Sequence, residues 1–522
     1  MTTQELINKL TARFDDNRVF DLVLSPETSL RIYPKSINRA DGDFLFLARS
    51  DQKKYLFVVS ADSRDSLMPK LEGKLIAEND FSSGTAMKRC RMNHHNASVI
   101  RELFDFTRPR LIGLQNSIGL GDRLGIANPA HLRALRGSCM KPILAQQSIR
   151  ELERTQRKPE EVLDAATWAV FQEGYKDGFG ADADHLKTTD DIDLLVKAGF
   201  TMFTIDPGEF VVNEADTLPL AAATEQIKAL PWAVLEDDLD GFLARYQDCV
   251  LDVAEDLRLQ PSRDEVLRGL LKYGRVIAHT VAMYRYLKAT YPDHPAEFEL
   301  SVDETDSVTS PFEHYLVANE LKRLGVELVS LAPRFVGDFE KGIDYRGDLD
   351  QFVAEYKKHL KIAERLGPYK ISFHSGSDKF KIYEAVGKLR GVAVHVKTAG
   401  TSYLEALRTV ATTSPLLFRE ILDFARGLYE QEKRTYHVSA ELEKVLPAEQ
   451  YTDEQLTSLF SQDDARQVLH VTFGKVLTET DPQGQSRFRD RIMKCLSENE
   501  ETHYDFLCQH FIRHLSPFEK AK

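Results

Sequence analysis

Phe298-Glu-Leu-Ser-Val-Asp-Glu-Thr-Asp-Ser-Val-Thr-Ser-Pro311 begins as a short alternating apolar run and breaks, at Val302-Asp303-Glu304-Thr305-Asp306, into acids, hydroxyls and a proline. The alternation is that of a half-buried strand, and the polar break with its proline ends it. The same event recurs through the middle of the chain. Ile371-Ser-Phe373 runs into His374-Ser-Gly-Ser-Asp378, Val392-Ala-Val394 into His395-Val-Lys397, and Phe179-Gly-Ala181 into Asp182-Ala-Asp184-His185. Each case sets an acid or a metal-ligating side chain at the far end of a strand.

From residue 110 onward the rhythm is strand, loop, helix. Apolar runs at 111–114, 142–145, 179–181, 201–205, 298–302, 326–331, 371–373 and 392–394 alternate with helical patterns at 159–173, 190–198, 315–324, 349–366 and 402–411. Gly119-Leu-Gly121-Asp122-Arg123-Leu-Gly125 forms the loop after the first run, and Gln146 ends the second. Eight strands in alternation with helices predict a (β/α)8 TIM barrel. An open doubly wound sheet is the competitor, but it would gather ligands at one switch point, whereas here nearly every strand exit is polar. The expected organisation is a small N-terminal α+β unit over 1–105, the barrel over 106–412, and a helical C-terminal extension over 413–522. In the N-terminal unit a helix is expected at 3–14 and strands at 19–24, 44–47 and 55–59. A helical insertion of about 207–295 follows strand four, with helices at 237–257 and 264–291, the second fitting as the barrel's own fourth helix. The extension, helical at 414–432, 453–460 and 485–499, is expected to cap the mouth.

Composition narrows the function classes. The 522 residues are 42% apolar and 29% charged with net charge −13, which argues against a nucleic-acid surface but leaves room for a local basic pocket. Five scattered cysteines without a CxxC pair, and no signal-peptide pattern, predict a cytoplasmic protein. No apolar run reaches the roughly 20 residues a membrane helix needs. A homo-oligomer is left open.

If the barrel closes, His185, His374 and His395 converge from strands three, seven and eight. Three imidazoles can hold a divalent cation with one position open; Mn, Co, Ni and Zn all suit such a site. Asp184 is then free to act as general base, or to support the ligands and cap a helix. Glu304 faces them across the mouth as the complementary acid, with metal ligation as its rival role. Among basic residues near the rim, Arg123, Lys187, Arg334, Lys379 and Lys397 are candidates to pair with a substrate carboxylate or phosphate. The loop Ser375-Gly-Ser377 occupies a strand exit where barrels often hold phosphate.

These runs, with Asp303-Glu-Thr-Asp306, Phe373-His-Ser-Gly-Ser-Asp378 and His395-Val-Lys-Thr-Ala-Gly-Thr401, resemble the tagaturonate/fructuronate epimerase family from about residue 110 onward. The layout is also similar to class II metal-dependent aldolases, from which the large insertion and helical extension depart. The resemblance implies Asp184 as base, His185, His374 and His395 as metal ligands, and Glu304 as second proton carrier. It also implies a small anionic sugar-acid substrate contacted by residues such as Asp122, Arg123, Gln146, Arg334, Ser375 and Lys397. The implied reaction is C4 epimerisation by retro-aldol and aldol steps. The alternatives are a sugar or sugar-phosphate aldolase, a two-metal isomerase using Glu304, Asp306 and Asp338, and a non-catalytic aldolase-like subunit.

Overall fold

A computed structural model describes residues 8–10, 12, 19–25, 28–50, 52–60, 66–76, 86–389, 391 and 393–519. Eight parallel strands close a barrel: Ser117–Leu120, Lys141–Ser148, Gly180–Leu186, Met202–Ile205, Glu297–Ser301, Ser330–Ala332, Lys370–Phe373 and Val394–Thr398, barrel strands one to eight. Strand eight closes on strand one in register, His395 opposite Ser117 and Thr398 opposite Leu120. The helices between strands begin and end on local chemistry. Thr188, Ser262 and Ser310 cap the helices Thr189–Ala198, Arg263–Thr290 and Pro311–Arg323, each with a reciprocal acid at the third position. Gly199 stops the first of these in the left-handed conformation, φ +94°.

Several boundaries differ from expectation. Strand one is Ser117–Leu120, and the run at 111–114 is a surface turn with Leu111 and Leu114 47% and 44% exposed. The run is apolar but does not alternate. The true strand turns small residues inward: a Cβ on Gly119 would stand 3.0 Å from the Gln146 amide oxygen. Strand six is shorter than expected and strand eight runs later, over Val394–Thr398, so His395 and Lys397 lie within it; Val392 lies outside the described residues. In the insertion the helix expected over 237–257 covers only Leu239–Tyr246, and a hairpin follows, Leu251–Ala254 with Leu257–Leu259. Asp248, at φ 56°, breaks the helical path between them.

The N-terminal unit is a seven-stranded antiparallel sheet. Leu45, Leu47, Leu56 and Val58 on one face pack on Trp168 and Phe171 of the barrel helix Pro159–Glu173, and Phe46 and Phe57 on the other pack with Leu10. Of the helix expected at 3–14, residues 8–10 and 12 are helical and the rest lie outside the described residues. The C-terminal helix Glu500–Glu519 buries Tyr504, Leu507, Phe511 and Leu515 in the barrel's own core. No helix among the described residues is long and apolar enough to cross a membrane.

One ion pair ties the first element group to the last. Glu500 meets the Lys54 ammonium at 2.5 Å and accepts from the Tyr33 hydroxyl at 2.6 Å. Burial would raise the Glu500 carboxyl, but Lys54 and Tyr33 outweigh it and hold the group down to about 2. A depressed carboxyl stabilises the fold above its unfolded value of 4.5 and loses that contribution as pH falls toward 2. Because burial also lowers Lys54, part of the gain is offset, leaving roughly 2 kcal/mol. Glu500→Gln should therefore lower the urea midpoint at pH 7 and flatten its fall between pH 5 and about 3; an unchanged pH profile would show that this contact does not stabilise the fold.

Candidate active site

The inward side chains of a (β/α)8 barrel are commonly layers of branched apolar residues. Here only the floor is apolar, built from Ile112, Ile143 and Met202. Above it the Lys397 ammonium, 2% exposed, is held by three carboxylates: Asp182 at 2.8 Å, Asp184 at 2.7 Å and Glu299 at 2.8 Å, with Thr204 Oγ1 at 2.7 Å. Strands three, four and five wall this cage, strand three with both Asp182 and Asp184, and strand eight brings Lys397 into it. Burial opposes charge on Lys397, but the three acids together keep it firmly protonated. The acids divide in turn. Burial and the neighbouring Asp184 and Glu299 push Asp182 up to about 6 against the pull of Lys397. Asp184, despite its burial, is held well below the usual carboxylate range by Lys397, His185 and His374.

His185 follows Asp184 at the end of strand three with φ 54°, a left-handed conformation rare for a non-glycine residue and concentrated at functional sites. That turn re-aims the imidazole. Nδ1 meets Asp206 Oδ2 at 3.2 Å, and Nε2 stands 3.8 Å from Asp184 Oδ1. Burial alone would lower His185, yet Asp184, Asp206 and Asp303 push it up to about 10. His374 lies beside it, ring centroids 5.1 Å apart, with Nε2 on Glu299 at 2.6 Å and Nδ1 3.2 Å from Ser301 Oγ. Ligand atoms of Asp184, His185 and His374 all lie within 4.8 Å of one another.

His395 is not gathered with them. It shares the inward face of strand eight with Lys397 but sits two residues, about 7 Å, deeper. There its Nδ1 faces Ser117 Oγ at 3.0 Å, burial lowers it to about 3, and its Nε2 has no hydrogen-bond partner among the described residues.

The mouth opens into a cavity of about 370 Å³. Glu304, Arg334 and Ser375 line it, as the sequence predicts, and so do Asp303, Arg150 and Lys341, which it did not single out. Glu304 is nearly half exposed, with Arg150 4.0 Å away. Lys341 donates to Ser375 Oγ at 2.9 Å. Thr435, Tyr436 and His437, from the C-terminal extension, form the roof; the Arg150 guanidinium lies over the Tyr436 ring, 5.6 Å from its centroid. The cap expected of the extension is thus present, while the insertion only braces the Glu304 loop. Buried Lys272 reaches Ser307 Oγ and Glu313 Oε1 at 2.7 Å each, and Asn213 accepts from the Asp306 N–H at 3.2 Å.

The other predicted contacts lie elsewhere. Gln146 is buried beside Asp184, donating to its Oδ2 at 3.1 Å. Asp122 caps its own loop, accepting from Gly125 at 2.7 Å and Ala127 at 2.8 Å. Arg123 is paired with Glu151 at 2.7 Å and stacked 3.5 Å from the Phe473 ring centroid. Lys187 pairs with Glu209 at 2.7 Å, and Lys379 is enclosed by backbone carbonyls. A second group of ligand types, Asp378, His510 and His514, is a closed hydrogen-bonded cluster. Arg466 meets Asp378 at 2.6 Å, and the His514 Nε2 is already an acceptor for the Asp378 N–H at 3.1 Å. Asp182, Glu299 and Asp206 escaped the sequence reading because two are inward strand positions without a ligand motif and the third reads as a turn acid.

The family described as UxaE, tagaturonate epimerase, matches residues 33–518. The chain belongs to this family. With that membership it is an enzyme of the isomerase class. Within the epimerase family it is 42% identical over 488 residues to the tagaturonate/fructuronate epimerase of Thermotoga maritima, covering 94% of this chain and 97% of that one. It is similar as well to crystal structures of the fructuronate-tagaturonate epimerase UxaE from Cohnella laeviribosi. The complex with one glycerol gives a TM-score of 0.87 at 38% identity, covering 99% of each chain. The native structure gives 0.86 at 40% identity, covering 94% of this chain and 96% of that one.

The cage makes a direct prediction for this epimerase. Lys397→Met leaves three buried carboxylates without their cation and should cost about 3–5 kcal/mol, read as a lower urea midpoint. Glu304→Gln, at the exposed mouth, should shift stability by no more than about 0.5 kcal/mol. Equal midpoints for the two variants would show that the cage does not stabilise the barrel.

Proposed function

We propose that this enzyme interconverts D-tagaturonate and D-fructuronate at C4 by reversible cleavage of the C3–C4 bond, with a divalent cation bound at His185 and His374 and with Asp184 beside it as a proton carrier. The observation that carries the reading is the convergence of those three side chains at a mouth whose open side bears Glu304, in a chain of this family. The donor set suits a cation. Four carboxylates lie against the two imidazoles, Asp184 and Asp206 at His185 and Glu299 and Asp303 at His374. Mixed imidazole and carboxylate donors of this kind fit Mn, Co, Ni or Zn. His395, expected as a third imidazole ligand, supports the site from the layer beneath.

The C4 hydrogen of either sugar acid is not adjacent to the C2 ketone and is not acidic, so direct deprotonation there has no driving force. Breaking C3–C4 avoids this. A bound divalent cation would supply Lewis-acid polarisation of the C2 carbonyl. A carboxylate takes the proton of the C4 hydroxyl, the C3–C4 electron pair moves into a C2–C3 enediolate, and C4 becomes an aldehyde. After the aldehyde turns, C3 adds to its other face and the new C4 alkoxide takes a proton back. Because the hydroxyl points to opposite sides in the two epimers, two proton carriers are needed. Glu304 stands on the open side and Asp184 on the barrel side, each serving one epimer. Gln146 and Lys397 hold Asp184 in place. Arg334, Arg150 and Lys341, with Ser375, offer the cationic end of the cavity for the substrate carboxylate. Tyr436 and its neighbours cover the fragments while they are apart. The five cysteines are all free, in keeping with a cytoplasmic enzyme.

Exhaustive chelation should abolish the conversion of tagaturonate, and restoring Mn, Co, Ni or Zn should return it; full activity in metal-free protein would remove the proposed site. Glu304→Gln should retain its metal by elemental analysis while turnover falls by about 10²–10⁴, whereas loss of metal would make Glu304 a ligand. Release of free three-carbon fragments without fructuronate would assign an aldolase instead.

A further inference from the structure

A second cavity, of about 320 Å³, lies away from the barrel mouth, where the N-terminal sheet, the helix Pro159–Glu173 and the C-terminal helix meet. Arg31 and Lys35 come from the N-terminal unit, Arg133 and Arg136 from the helix Asn128–Ala134 and the turn after it, and Glu173 and Glu501 complete the charged lining. Four cations face two carboxylates in a chain whose net charge is −13. The excess is local and built. The buried Glu173 carboxylate accepts from Arg133 Nε at 3.0 Å and from Arg136 Nη2 at 2.8 Å, so both guanidinium planes are fixed with further N–H groups to offer. Arg133 also meets Glu501 at 3.0 Å and lies over the Tyr504 ring, 4.7 Å from its centroid.

Both carboxylates are thus used by Arg133 and Arg136. Neither Arg31 nor Lys35 has an ion-pair partner among the described residues. Lys35 is partly buried, and its charge is disfavoured first by that burial and then by Arg136 and Arg133, with only Glu173 acting the other way. Its backbone is pressed against the barrel, since a Cβ on Gly174 would stand 2.7 Å from the Lys35 carbonyl oxygen. The backbone of Lys35 is therefore held at the cavity wall by a close-packed contact, and Arg31 reaches the cavity from the strand Thr28–Ile32. A cavity of this size, walled by fixed guanidiniums and a crowded ammonium, suits a small ligand with two or more negative charges.

We propose that this cleft is a binding site for a small polyanionic metabolite, one carrying phosphate groups or paired carboxylates. It is separate from the mouth and independent of the reaction assigned there. Because the ligand would bridge the N-terminal sheet and the barrel, its binding stabilises their union by mass action.

The test is calorimetric titration of the full-length protein with pyrophosphate and, separately, with citrate, followed by thermal melts at saturating ligand. The expected result is saturable binding of one molecule per chain by at least one probe, with a raised melting temperature. Binding by pyrophosphate alone assigns phosphate chemistry, and by citrate alone carboxylate chemistry. Arg31→Gln/Lys35→Gln should weaken binding by about tenfold or more, while Arg334→Gln at the mouth leaves it unchanged. Absence of saturable binding by either probe, equal affinity in the double variant, or loss of binding in Arg334→Gln would each overturn the site.

Discussion

The Lys397 ammonium inside a ring of Asp182, Asp184 and Glu299 is the contact on which the rest of the barrel depends. A desolvated charge is tolerated only when it is paired and hydrogen-bonded, and here the partners come from strand three, which supplies Asp182 and Asp184, and strand five, which supplies Glu299. The pairing fixes the register of strands three, five and eight at the level of the mouth. It also aims what lies above. Glu299 extends the network to His374, and Asp184 extends it to His185. A barrel filled with leucine and valine would be held as firmly, but it could not present acids and imidazoles of defined charge at its upper rim.

The remaining parts of the chain act on that rim from a distance. His185 stores backbone strain in its left-handed conformation, and the imidazole gains Asp206 in return. The long insertion holds the Glu304 loop from outside through Lys272 and Asn213 without entering the cavity. The C-terminal extension brings Tyr436 over the mouth, where Arg154 and Arg150 hold it, and Arg466 locks the extension to Asp378 after strand seven. The cleavage and rejoining that we propose needs such a roof, because water or escape would turn an epimerisation into a cleavage.

Much of the architecture was legible in the residues. The helices Pro159–Glu173 and Leu349–Leu366 have the boundaries their periodicity predicts, and the polar strand exits distinguish the closed barrel from an open sheet. Asp184, His185 and His374 were legible because acids and imidazoles that interrupt apolar runs stand out. Strand one was not. Apolar content at 111–114 outweighed alternation, and the true strand is disguised by Ser117 and Gly119, small because the barrel interior leaves them no room. The depth of His395 was hidden by the same uncertainty of boundary, since a strand that begins two residues later carries its histidine inward rather than to the rim. The roles of Asp182 and Glu299 could not be read from their own neighbourhoods: their meaning comes from Lys397, 215 and 98 positions further along the chain. Arg150 and Tyr436 meet only in three dimensions.

The central claim is that C4 changes configuration because its bond to C3 opens, with the C4 hydrogen never leaving carbon. Tagaturonate carrying deuterium at C4, turned over in ordinary water and followed by NMR, tests this directly. Cleavage and rejoining predict fructuronate that keeps the full label at C4, with no solvent hydrogen there. Loss of the label to solvent in step with epimerisation would contradict the account and require proton abstraction at C4 itself.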